Sequence, residues 1–152
     1  MSNFSTVDDF LSHTQKLHAR ITQFYGALSV DANNERVKML LDILTRHELE
    51  LLSFIDDYIE KSPAKVRDTF IQFDREEDID YLFKTDFKRN QINCDDVEVI
   101  AHRFDQYFSD LYKGISEADE YDKVQDVFEN LRQHMEEQKK RLSIDVNELQ
   151  DI

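Results

Sequence analysis

The chain has 152 residues, with 33 Asp and Glu against 19 Lys and Arg, for a formal charge of −14. That charge opposes a nucleic-acid backbone or an anionic membrane surface, both of which reward clustered Lys and Arg, and no apolar stretch approaches the ~20 residues that cross a bilayer. Two Gly, one Pro, no Trp, 34% charged and 40% hydrophobic residues fit long amphipathic helices, and the one cysteine, Cys94, has no internal disulfide partner. The polar start MSNFSTVDD lacks the basic region and apolar run of a secretory signal. The expectation is a single all-α domain over residues 1–152, cytoplasmic, with no nucleic-acid or membrane partner.

In chain order, the first helix opens at Ser5 or Thr6, where Thr6-x-x-Asp9 supplies a capping pair and Asp8 and Asp9 suit the helix dipole. Its apolar stripe is Phe10, Leu17, Ile21, Phe24, Tyr25 and Leu28, with His18 inside it and His13 off it, toward solvent. SVDANN (29–34) is a short polar connection with Asn33 or Asn34 as the next cap, so the second helix returns antiparallel. That helix carries Val37, Leu40, Leu41, Leu44, His47, Leu51, Phe54, Ile55 and Tyr58 inward, and Lys61-Ser62-Pro63 ends it, with Ser62 as cap of the next helix.

PAKVRDTFIQFD predicts a short helix with Val66, Phe70 and Phe73 inward, and REEDIDYLFKTDFKRNQ a second short piece. A connection of this length, about 62–93, suits two consecutive helices that run the same way and need a crossover. Asn93 caps the third helix, whose stripe is Val97, Ala101, Phe104, Asp105, Phe108, Leu111, Tyr112 and Ile115. After SEADEYD the fourth gives Val124, Val127, Phe128, Leu131, His134, Met135, Gln138 and Leu142, and a tail, 143–152, either extends it or frays. Cys94 stands at a helix start, where a thiol pKa can fall, but belongs to no motif.

His47 and Glu50 stand one turn apart on the second helix, and the pair recurs 87 residues later as His134 and Glu137. The same offset carries Asp8 and Asp9 onto Asp95 and Asp96, Tyr25 onto Tyr112, Ser29 onto Ser116 and Val37 onto Val124, and sets His18 opposite Asp105. The chain therefore reads as two copies of a helical hairpin, about 7–60 and 94–142. His18, His47, Glu50, Asp105, His134 and Glu137 make six nitrogen and oxygen donors aimed at a shared axis. Imidazole and carboxylate together suit iron, manganese or zinc. Three enclosed carboxylates with no inward Lys or Arg would need such cations to offset their charge. Tyr25 and Tyr112, two turns after the inward polar group, fall over the same face as supporting groups or as plain core aromatics, and His102, three before Asp105, is an alternative ligand or a supporting group. The bland alternative is a hydrogen-bonded core, for example His47 with Asp105 and His134 with Glu50 across the helices.

This pattern resembles the ferritin-like superfamily of dinuclear-metal four-helix bundles, which includes ferritins and rubrerythrins. The family has an inward Glu with a Tyr seven residues later on helices one and three, and Glu-x-x-His on helices two and four. Here His18 with Tyr25 and Asp105 with Tyr112 occupy the single-Glu places, and His47/Glu50 and His134/Glu137 the paired places in reversed order. Reversal shifts each group about 4.5 Å along the axis, leaving Glu50 and Glu137 as the bridging carboxylates. The resemblance implies two divalent ions, iron foremost with manganese or zinc as alternatives, and oxidase or peroxide-scavenging oxidoreductase chemistry. The competing expectation is a metal-free helical interaction protein that meets a partner through its acidic exterior. Aromatic residues such as Tyr107 and Phe108 beyond the central stripe also predict a homodimer.

Overall fold

In the computed structural model, which describes residues 4–72, 79–118 and 122–150, the first long helix α1 is Val7–Asp31. Thr6 caps it: its hydroxyl accepts from the Asp9 amide while the Asp9 carboxylate accepts from the Thr6 amide, each at 3.1 Å. Asn34 caps α2, Glu35–Lys61, by accepting from the amides of Arg36 and Val37. Helix α4, Cys94–Ala118, opens on a second reciprocal cap, between Asn93 and Asp96. Helix α5 is Asp122–Gln150. The boundaries of α4 fall 87 residues after those of α1, 94 against 7 and 118 against 31, and α5 starts 87 after α2, 122 against 35. The capping pairs obey the same offset, 93 and 96 against 6 and 9.

The described residues are mostly helical, with one small two-stranded sheet. Strand β1, Phe4–Thr6, pairs antiparallel with β2, Phe70–Gln72, with Ser5 opposite Ile71, and the Val7 amide donates to the Thr69 carbonyl. This corrects the expectation for PAKVRDTFIQFD. Helix α3 lasts only from Ala64 to Arg67, and Pro63, not Ser62, precedes it; Ser62 instead closes α2 by donating its amide to the Tyr58 carbonyl. Ile71 is buried, whereas Phe70 is 69% exposed, the alternation a strand imposes on neighbours that a helix would have put at different angles. Phe73 lies outside the described residues. Of the second expected piece, 3₁₀ turns form at Asp80–Phe83 and Arg89–Gln91.

Side-chain partners give the helix directions. Gln15 meets Asp56 and Ser29 meets Asp42, so α1 and α2 are antiparallel. Phe10 packs edge-on to Tyr112 and Tyr25 to Phe104, so α1 and α4 are antiparallel too. Phe54 stacks on His134 while Arg46 pairs with Asp145, which sets α2 against α5. Helices α2 and α4 therefore run the same way, and the chain between them travels the length of the molecule. It begins beside the start of α1, at Thr69, and finishes beside its end, where Asn33 donates to the Asn90 carbonyl and Arg89 pairs with Asp31. On the way Leu82 is buried, Phe83 packs on Phe24 and Phe104, and Arg20 lies over the Phe83 ring.

The core is formed by the inner faces of the four long helices, with Phe10, Tyr25, Phe104, Phe108 and Phe128 its largest fully buried side chains. Phe10 sits edge-on to both Tyr112 and Phe128, so one residue of α1 ties α4 to α5. Tyr107 and Phe108, on which the expectation of a dimer rests, are buried within the chain. His13 is half-buried, not solvated, with its Nε2 3.2 Å from the Tyr107 hydroxyl. Residues 143–150 extend α5, and Leu149 is buried.

Candidate functional site: a polar layer and a cleft

A helix turns roughly 100° per residue. On α2, Leu44, Glu48, Leu51 and Ile55 step by four, three and four and define the middle of the inward face; His47 stands at its edge, and Glu50 a further ~60° out. The side chain of Glu50 is accordingly 44% exposed and its carboxylate lies 4.0 Å from His47 Nδ1. The same rotation governs α5, where His134 is half-buried and Glu137 exposed. Both His-x-x-Glu pairs thus stand on the flank of a helix instead of its centre.

Four of the six expected ligands have partners outside the set. His18, fully buried, brings Nδ1 to 2.6 Å from Glu48 Oε2 and stacks its ring on Phe108 at 4.2 Å between centroids. A carboxylate only accepts, so Nδ1 carries the hydrogen; Nε2 is sealed and without a partner among the described residues. His47 uses both nitrogens, Nδ1 at 2.8 Å from Gln138 Oε1 and Nε2 at 2.7 Å from Asp145 Oδ2, and Arg46 binds the same Asp145 oxygen at 2.8 Å. Asp105 pairs with Lys139 at 3.0 Å. His134 lies flat on Phe54, 3.8 Å between centroids, with Nε2 sealed and unpartnered among the described residues. Of the six, His47 and Glu50 are the one pair within 4.0 Å among the described residues, while His134 feels Glu137 and Glu50 through their field. No group of three or more His, Cys, Asp or Glu able to hold a metal ion occurs among the described residues. The donor set does not fit a dinuclear centre.

Four residues of this layer fall outside the expected ligand set, and the sequence signals for them are specific. Glu48 occupies the four-residue step from Leu44, and Gln138 stands seven after Leu131 on the inward stripe. Asp145 stands seven after Gln138, legible only once α5 is known to continue past Leu142. Lys139 lies at the opposite edge of α5 from His134 and reaches inward along its aliphatic stem. It supplies the cation that the inward stripes lacked. Burial alone would lower its pKa, but the hydrogen bond and field of Asp105, with Glu136, raise it. The hydrogen bond from His47, aided by Arg46, holds Asp145 below its ordinary value despite desolvation. Burial lowers the pKa of His134, with Glu137 opposing.

Beside this layer a cleft of about 300 Å³ opens between α2, α4 and α5. Its apolar wall includes Leu44, Leu51, Phe104, Phe108 and Met135, and its polar rim Glu48, Asp105, Gln138 and Lys139. Tyr25 and His102, two of the three expected supporting residues, also line it; His102 is exposed, and Tyr25 is 2% exposed. Burial, then the fields of Glu48 and Asp105, push the Tyr25 phenol well above its ordinary pKa, so it remains a neutral hydroxyl. Tyr112, the third, is sealed among Phe10, Phe108 and Phe128 and raised by burial and by Glu48 and Tyr107. Cys94 is half-buried, and burial lifts its thiol pKa more than Arg36 lowers it, opposite to the fall a helix start can bring. No helix among the described residues is long and apolar enough to cross a membrane. Comparisons with protein-family models, curated proteins and solved structures give no match to this chain.

Proposed function

We propose that the chain is a metal-independent binding protein, built as a four-helix bundle with the long-crossover connectivity of the ferritin-like superfamily. The connectivity reading is supported by parallel α2 and α4, by the connection running the length of α1, and by the 87-residue correspondence of helix boundaries and caps. One observation carries metal independence: the carboxylates of the polar layer have protein cations or hydrogen donors as partners. His18 serves Glu48, Lys139 serves Asp105, and His47 with Arg46 serves Asp145. A metal at this layer would have to displace those partners first, and for the buried His18–Glu48 pair that is costly. The cleft beside the layer is at the small end of the range for ligand pockets and has their usual make-up, an apolar wall with a few convergent polar groups.

Elemental analysis of protein purified without chelator, combined with melting curves in Fe(II), Mn(II) and Zn(II), tests this. The expected result is well under one ion per chain and an unchanged melting temperature. A metal held at a hundred times its Kd would add about 2.7 kcal/mol, which a melt resolves. A stoichiometric ion that disappears in the His47→Ala, His134→Ala double variant would overturn the reading.

A further inference from the structure

The cleft contains polar atoms that the chain leaves unused. Glu48 engages His18 through Oε2, and its Oε1 has no hydrogen bond among the described residues and is not sealed. Asp105 engages Lys139 through Oδ2, with Oδ1 open in the same way. The third is the Tyr25 oxygen. Tyr25 is 2% exposed, yet its hydroxyl has no partner among the described residues and is not sealed, which puts it on the cleft that its side chain lines. A phenol this deeply buried normally bonds a carbonyl or an acid. Its unused oxygen marks a place where something else is to be bound.

An ammonium group has three N–H donors and no acceptor, and the cleft offers three oxygens that can accept, from Glu48, Asp105 and Tyr25. The rings of Phe104 and Phe108 form part of the wall, and aromatic surface favours a nearby cation as well as an apolar body. An anion would meet two carboxylate oxygens, and the one ammonium it could seek, Lys139, is already held by Asp105 and Glu136. A divalent ion finds no group of three ligands among the described residues. We propose that the cleft between α2, α4 and α5 binds a small primary ammonium ion carrying an apolar body, with its nitrogen held by Glu48, Asp105 and Tyr25. The proposal rests on the metal-independent reading of the polar layer.

Calorimetric titration of the full chain with phenethylammonium and butylammonium tests it, with 2-phenylethanol and phenylacetate as neutral and anionic counterparts. Saturable one-to-one binding of an amine is expected, weakened at least about tenfold by Glu48→Gln or Asp105→Asn and several-fold by Tyr25→Phe. The alcohol and the acid should bind at least about tenfold more weakly than the amine. Silence from both amines, or equal binding of the alcohol or the acid, overturns the proposal. Should Glu48→Gln fail to fold, Tyr25→Phe and the comparison of amine with alcohol on the unaltered chain still decide. Zn(II) and Mn(II) titrated in parallel separate the two readings. Metal uptake lost in Asp105→Asn would overturn metal independence and the amine site with it, whereas silence from both metals and amines overturns the amine site alone.

Discussion

His47 ties α2 to α5 through two hydrogen bonds, to Gln138 and Asp145. His47→Ala leaves the buried Gln138 amide without its imidazole partner, which costs about 1–3 kcal/mol, and leaves Asp145 with Arg46 alone. The variant should therefore unfold at clearly lower denaturant, with or without added metal, while His102→Ala, at an exposed position, should unfold close to the unaltered chain. Urea midpoints read both. His134 makes stability depend on pH. Its folded-state pKa lies below the ordinary 6.5, so between the two values the unfolded chain binds more protons. Its contribution is complete above about 6.5 and falls as pH drops toward the folded value. His134→Phe, which keeps the stack on Phe54, should flatten the urea midpoint between pH 7 and 5 relative to the unaltered chain. Asp145 acts in the same direction at lower pH, its contribution present above the ordinary carboxylate value and lost as pH falls through the folded one. Lys139 acts oppositely, complete below 10.5 and lost as pH rises through its folded value. Inward His18 and buried His47 are legible in the sequence. Which carboxylates face them is legible only in part: Glu48 falls on the four-residue step from Leu44, Asp145 emerges only once α5 continues past Leu142, and a His-x-x-Glu spacing fixes the angle between two side chains without fixing where the pair stands on the helix.

At the scale of elements, the four long helices are legible because all carry acidic residues in the first turn and apolar residues at helical spacing, and α1, α2 and α4 also carry a capping residue. Thr6 with Asp9 and Asn93 with Asp96 are related by the same repeat as the helices they start. Removing either cap by Thr6→Ala or Asn93→Ala should cost about 1 kcal/mol, and the two losses should add, since they serve different helices. A double variant measured by chemical denaturation checks both size and additivity. The segment after Pro63 reads as a longer helix than it forms because Val66, Phe70 and Phe73 have helical spacing. A distant partner decides otherwise: β1 and β2 meet through Ser5 and Ile71, 66 positions apart. Pairing of that kind leaves no trace within a local window.

For the whole molecule, the decisive contacts are those that bind one hairpin to the other. Phe10 touches α4 and α5 at once, through Tyr112 and Phe128. Phe10→Ala should cost about 3–5 kcal/mol, a large share of the 5–15 kcal/mol typical of a domain, and a fall in melting temperature by circular dichroism measures it. The polar layer runs across the same seam, with His18 and Glu48 on one side and Asp105 and Lys139 on the other. Ribosomes add about 5–20 residues per second, so the hairpin of α1 and α2 is complete for several seconds before residues 105 and 139 are made. During that wait its inner surface carries a charged, hydrated band through the apolar stripe. A nascent half with such a band is less prone to stick to its neighbours than an all-hydrocarbon one, and its His47 meets Gln138 and Asp145 only when the second half arrives.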